Sequence, residues 1–495
     1  MREAKIKEKE RREMVIRAYM GRAEVYNLMG KTALALRDAE KAKKVAERSG
    51  FKKLLADCML LLCSVYDVLS RYRDMLEISK KAYDIYGEIG DRRGIASSLH
   101  IAGEVHDHSG DPVRALEYYK KALSIFQEIG DHKGQAEVLN DIGFVYDMAG
   151  NYNLALEYYR KSLEIKEKIG DERGMAIAFN NIGFIYHILG DYRRAIEHYR
   201  KSLRIRRKIG DKKGEANNLN NLGLVFHALG NYQRALEYYK KSLKMAEEMG
   251  DIKGKMMTLN NIGGIYQCTG NYKKALECFK KALEIEKRVN DPWSRATGLS
   301  NIGKIYFYMG DYTRSLDYHR KSLKIREKVG EESGRAKTLL FTGKVFIEMG
   351  RFKEAKETLK NAENIARKMK LQDVLGGVFL GYARIAIEKR RNKDALSYVL
   401  QALEVFGKSS SKVEIAEALV LKGKVEESEE DFKKAIELLE RIKRKYELAL
   451  AYHYYSEFLL SKGRNEEAKE FISKARRFFK RAGNRHYMKK IEKIP

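Results

Sequence analysis

Asparagine pairs recur at a fixed 40-residue step, as Asn180-Asn181, Asn220-Asn221 and Asn260-Asn261, with Asn140 and Asn301 flanking them. A side-chain amide carries two donors and an acceptor, which suits holding the backbone of an extended peptide with little regard for its sequence. Asparagine is a poor helix former by roughly half a kcal/mol, so its repeated placement in helical segments calls for a reason. The groups that could support catalysis show no such order. Gly30-Lys31-Thr32 has the end of a phosphate loop, but Val25 stands where the earlier glycine is required. His106 and His108 diverge on a helix. Asp147, His187, His227 and Gln267 form a column in successive repeats, but packed helices stand roughly 8–10 Å apart, too far for neighbours to share an ion. Cys58, Cys63, Cys268 and Cys278 make no CxxC pair, and no Ser-His-Asp, Cys-His or paired-carboxylate constellation stands out. The sequence therefore implies no enzyme, no metal and no cofactor.

The elements that position the asparagines follow from glycine punctuation. Gly-Asp recurs at Gly90, Gly130, Gly170, Gly210 and Gly250, and Asn290-Asp291 and Gly330-Glu331 continue the series. A second series, Gly110, Gly150, Gly190, Gly230, Gly270, Gly310 and Gly350, sits midway. Glycine ends one helix in the left-handed conformation, and the Asp or Asn after it caps the next. Each 40-residue period thus predicts two helices. In the first, Leu139, Ile142, Gly143 and Tyr146 make a buried stripe; in the second, Ala155, Leu156, Tyr159 and Leu163 do. Trp293, after Pro292 at a helix start, is expected to shield a junction between repeats.

A bulky residue, an apolar-glycine pair, an aromatic three later, then alanine, an aromatic and a small residue in the second helix appear here as Leu219, Leu222-Gly223, Phe226, Ala235, Tyr239 and Ser242. This pattern resembles the tetratricopeptide repeat family, in the 40-residue variety of spindle-orientation adaptors and kinesin light chains. The resemblance implies an all-α fold, a right-handed α-solenoid of about twelve antiparallel helical hairpins. The expected organisation is a charged N-terminal helix and two degenerate repeats over 1–90, seven regular repeats over 91–370, three degenerate ones over 371–483, with breaks near Arg391-Asn392, Glu430-Asp431 and Gly463-Arg464, and a polar cap over 484–495.

Opposite the buried stripe lie Phe144 and Met148, then Ile177, Phe184 and Ile188, then Leu224. The resemblance makes this the concave groove, where Asn ladders hold partner peptides. The equivalents of Phe184 are Glu104 earlier and Lys304 and Lys344 later, so the apolar character is confined to the middle repeats. The expected peptide-binding set is therefore Asn140, Asn180, Asn181, Asn220, Asn221, Asn260, Asn261 and Asn301 with those six apolar residues.

The formal charge is +29, from 98 Lys and Arg against 69 Asp and Glu, which favours acidic partners. Much of it forms Glu-to-Lys pairs four apart, such as Glu157 and Lys161, on exposed faces. A local excess gathers over 191–213, where Arg193, Arg194, Arg200, Lys201, Arg204, Arg206, Arg207, Lys208, Lys212 and Lys213 face only Asp191, Glu197 and Asp211, and another at Lys474, Arg476, Arg477, Lys480 and Arg481. No segment approaches the run of about 18 apolar residues that crosses a bilayer. The reading is a cytoplasmic scaffold or adaptor, free of the membrane, that binds a protein or peptide. The alternative is a nucleic-acid-associated or signalling regulator that uses the basic surface.

Overall fold

The computed structural model describes residues 2–289, 291–409 and 411–493, so Asn290 of the punctuation series lies outside the described residues. Among the described residues the regular secondary structure is 25 α-helices with no strand, most of them 17 or 18 residues long and joined by short turns. The turns are built as the glycine pattern dictates. Gly130 sits at φ 69°; its N–H reaches the Gln127 carbonyl at 3.2 Å while Asp131 N–H reaches Phe126 at 2.9 Å. These are the two closing bonds of a left-handed helix end. The Asp131 carboxylate then accepts from Gly134 N–H at 3.1 Å and starts the next helix. Pro112 and Pro292 occupy first helical positions, where a missing N–H costs nothing.

Where the repeats degenerate, Ser70, Lys370, Arg390, Glu427 and Lys443 take positive φ without being glycine, at a cost of roughly 1–2 kcal/mol each. The break expected near Glu430-Asp431 falls instead at Glu427 and Ser428, and Glu430 and Asp431 lie in the first turn of the helix Glu429–Arg441. The reason is the cap: Ser428 Oγ accepts from Asp431 N–H at 3.3 Å.

Within a hairpin the contact is glycine against an aromatic ring. A Cβ on Gly143 would stand 2.8 Å from the ring of Tyr159, which is 1% exposed. One step along, Ser162 Oγ donates to the Ala136 carbonyl at 2.6 Å, and Ser202 repeats the bond to Ala176. These tie the second helix of a repeat to the first.

The helices group into two compact units, one ending at Gly214 and the other starting at Glu215. The first is a run of hairpins, each packed on its sequence neighbours, with apolar clusters around Tyr86 and Tyr119. The second has one extended core in which Tyr272, Tyr308 and Phe346 share a cluster with Tyr446, Phe479 and Tyr487. A solenoid whose repeats touch only adjacent repeats would not bring these together. The last helix, Arg485–Glu492, covers the preceding hairpin with the fully buried Tyr487 and Ile491. Its Tyr487 hydroxyl also donates to Glu348 at 3.1 Å. Among the described residues no helix is long and apolar enough to cross a membrane.

Candidate functional site

In the unit ending at Gly214, the helices His132–Met148 and Glu172–Ile188 present Phe144, Met148, Ile177, Phe184 and Ile188 at exposures from 39% to 72%. The asparagines lie beside them. Asn181 Nδ2 donates to Asn140 Oδ1 at 3.3 Å, and Asn140 Nδ2 donates to Asp141 Oδ1 at 3.2 Å. A rung thus joins the first amide of one repeat to the second of the next. Asn180 is half-buried.

The unit starting at Glu215 has the same rung, Asn261 Nδ2 to Asn220 Oδ1 at 2.9 Å, but different surroundings. Asn220 is 2% exposed, and Asn221, Asn260, Asn301 and Leu224 are half-buried. The repeat equivalents of Met148 are Cys268 and Tyr308, both buried. Arg444 Nη1 approaches Cys268 Sγ at 3.1 Å, and the rings of Tyr308 and Tyr446 meet at 4.7 Å.

Lys304 and Lys344 are explained by the same packing. Lys304 Nζ lies 4.7 Å over the ring of Phe341, and burial together with Lys337 pushes its pKa down to about 8. Lys344 reaches Glu417 at 3.4 Å, and Arg384 bonds the same carboxylate at 2.6 Å. Burial works against the charge on Glu417, but Lys344 and Arg384 outweigh it and hold the pKa at about 2. Lys344, Arg384 and Glu417 line a cavity of about 60 Å³ with Phe307, Phe341 and Tyr446, room for a few water molecules. The drift from Phe184 to Lys304 and Lys344 therefore accompanies a change from an open face to a half-buried one.

The other sequence-marked groups scatter. The ring of His106 stacks on Tyr118 and that of His108 on Tyr72. His187 is half-buried, and His227 lies 3.6 Å from Cys268. Trp293 stays 54% exposed rather than shielding a junction. Of the first basic cluster, Arg206 is buried and pairs with Asp211 at 3.3 Å, while Arg193, Arg194, Arg200, Arg204, Arg207 and Lys212 are exposed.

One constellation went unmarked in the sequence. His100 Nε2 stands 2.7 Å from Asp141 Oδ2 and 3.9 Å from Glu104 Oε1. Burial opposes the imidazolium, yet the bond to Asp141 raises the His100 pKa to about 9. Burial also raises Glu104 to about 7. The available signal was the spacing: His100 and Asp141 stand 41 residues apart, the separation of the Asn140–Asn181 rung.

A family model described as Tetratricopeptide repeat matches residues 55–128, 94–168, 174–248 and 294–368, and two others of that description match 257–288 and 380–449. No curated protein matches the sequence. Among solved structures, a Rap protein complexed with Competence and Sporulation Factor is 17% identical with a TM-score of 0.51, covering 73% of this chain and 99% of its own. The apo form of the quorum sensor NprR from B. thuringiensis is 16% identical with a TM-score of 0.51, covering 69% and 98%. BtubC from P. vanneervenii is 22% identical with a TM-score of 0.39, covering 45% and 90%. For the Rap protein and NprR, the likeness at these identities is one of fold.

Proposed function

The chain belongs to the tetratricopeptide repeat family, and we propose that it is a cytoplasmic scaffold or adaptor that holds a peptide segment of a partner protein on the helix face carrying Phe144 and Phe184. The observation that carries this reading is the run of Phe144, Met148, Ile177, Phe184 and Ile188, all at least 39% exposed on one face. A contiguous apolar patch left open to water marks a binding surface. Half-buried amides at Asn140, Asn180 and Asn181 border it. Asn140 and Asn181 can each make more hydrogen bonds than one rung uses, which supports contact with a peptide backbone. In the other unit Asn220, Asn221, Asn260, Asn261, Asn301 and Leu224 are half-buried or buried, and the reading does not rest on them.

A Rap protein of this fold was solved complexed with Competence and Sporulation Factor, which supports a binding role. On this reading the chain catalyses no reaction of its own. Photo-crosslinking groups placed at Phe144 and Ile188, in affinity capture from native lysate, test it. One segment of one protein crosslinked at both positions is the expected result; crosslinks at the exposed arginines alone would transfer the function to the basic surface. That second reading, an acidic protein or nucleic acid, is favoured only by the exposure of Arg193, Arg194, Arg200, Arg204 and Arg207.

A further inference from the structure

His100 and Glu104 lie four residues apart on the helix Arg92–His108, so they share one face. Asp141, on the helix His132–Met148, meets them from the next repeat. One ligand atom from each lies within 4.8 Å of the others, the sole such group of three among the described residues. The geometry points to a divalent transition-metal site formed by His100 Nε2, a Glu104 carboxylate oxygen and Asp141 Oδ2, of the type that takes Zn²⁺.

Donors bound at about 2.0–2.1 Å around a tetrahedral ion stand roughly 3.3 Å from one another. The 2.7 Å from His100 to Asp141 and the 3.9 Å from His100 to Glu104 bracket that spacing. Asp141 is already oriented: its Oδ1 accepts from Asn140 Nδ2 at 3.2 Å, which leaves Oδ2 for the metal in the manner of outer ligand support. Neutral imidazole with two carboxylates balances a 2+ ion. Although the chain has 98 Lys and Arg, neither carboxylate is ion-paired with one among the described residues; both face His100. The three side chains are 13%, 36% and 30% exposed, so the ion has an entry path and an open fourth position. One nitrogen and two oxygens suit Zn²⁺, whereas Mg²⁺ prefers an octahedron of oxygens.

The corresponding residues elsewhere are Asn140, Phe144 and Asn181, or Asn220, Leu224 and Asn261, which offer no such ligand set. The site is thus particular to one pair of repeats, and it does not depend on the peptide reading.

Equilibrium dialysis of the full, untagged chain against Zn²⁺ and against Mg²⁺ tests it without any partner. The expected result is one Zn²⁺ retained per chain, with Glu104→Gln and Asp141→Asn each weakening retention about tenfold or more at unchanged helicity. Glu104→Gln keeps the His100–Asp141 contact and so guards against a folding defect. Three results would overturn the assignment: no Zn²⁺ retained by the wild-type chain, wild-type affinity in Glu104→Gln, or retention of Mg²⁺ in preference to Zn²⁺.

Discussion

The side-chain amide of Asn484 donates to the backbone carbonyl of Tyr308 at 3.1 Å, across 176 residues of chain. Its oxygen accepts from Tyr487 N–H at 3.0 Å, capping the last helix. Asn484 is fully buried, so one side chain both starts that helix and fastens it to a distant repeat. Tyr232 joins the same closure, with its hydroxyl donating to the Ile442 carbonyl at 3.3 Å.

Asn484→Ala removes both bonds, and the loss is expected to be about 1–3 kcal/mol. Asn484→Asp keeps a capping oxygen but cannot donate to Tyr308, so it should not restore stability. Hydrogen exchange is the measurement: amides around Tyr308 and Tyr446 should lose protection in both variants, while those of residues 92–148 keep theirs. Unchanged protection near Tyr308 would mean that the closure does not depend on this bond.

Phe184 is 39% exposed, so Phe184→Lys should leave thermal melting almost unmoved. On the peptide reading it should weaken partner binding at least about tenfold, because an apolar anchor is replaced by a charge that must be desolvated. A sharp fall in melting temperature would return Phe184 to a structural role.

The two rungs should respond differently to truncation. In Asn181→Ala, a half-buried hydrogen bond of about 0.5–1.5 kcal/mol is lost against a helix-propensity gain of roughly half a kcal/mol, and stability should change by under about 1 kcal/mol. In Asn220→Ala, a 2% exposed amide is lost and the donor of Asn261 is stranded, at a cost of about 1–3 kcal/mol. Urea unfolding midpoints distinguish the two. Equal midpoints would show that burial does not set the value of a rung.

Glu286 is 1% exposed, and burial pushes its pKa up to about 7. Gly298 makes room for it, since a Cβ there would stand 2.7 Å from the carboxylate. The folded pKa exceeds the unfolded value of about 4.3, so this group favours the folded state fully below that pH. The contribution is lost as pH rises through about 7. Glu286→Gln should therefore gain stability relative to the wild type at pH 8, and the difference should shrink towards pH 4.5. Melting temperatures across that range check it; parallel curves would show that Glu286 keeps an ordinary pKa.

Much of the fold is legible because its causes are local. Gly130, Asp131 and Ser162 act within a turn or a hairpin, and the 40-residue step repeats those causes. The open apolar face was legible in the same way, since Phe144 and Phe184 follow from helical periodicity alone. The Asn rungs were only half visible: the step predicts that amides line up, but whether Asn220 faces a partner or its neighbour Asn261 is settled by distances between helices. The His100, Glu104 and Asp141 group was hidden for the same reason, being split between two repeats.

By itself the sequence determined the hairpins and the face each helix turns inward, because capping and periodic burial act over a few residues. Only the tertiary structure decided that Cys268 and Tyr308 are buried and Lys304 half-buried while Met148 and Phe184 stay open. These residues hold equivalent places in their repeats. Cys268 and Tyr308 are met by Arg444 and Tyr446, which come from hairpins far along the chain. That outcome sums small rotations over many repeats, and no single repeat encodes it.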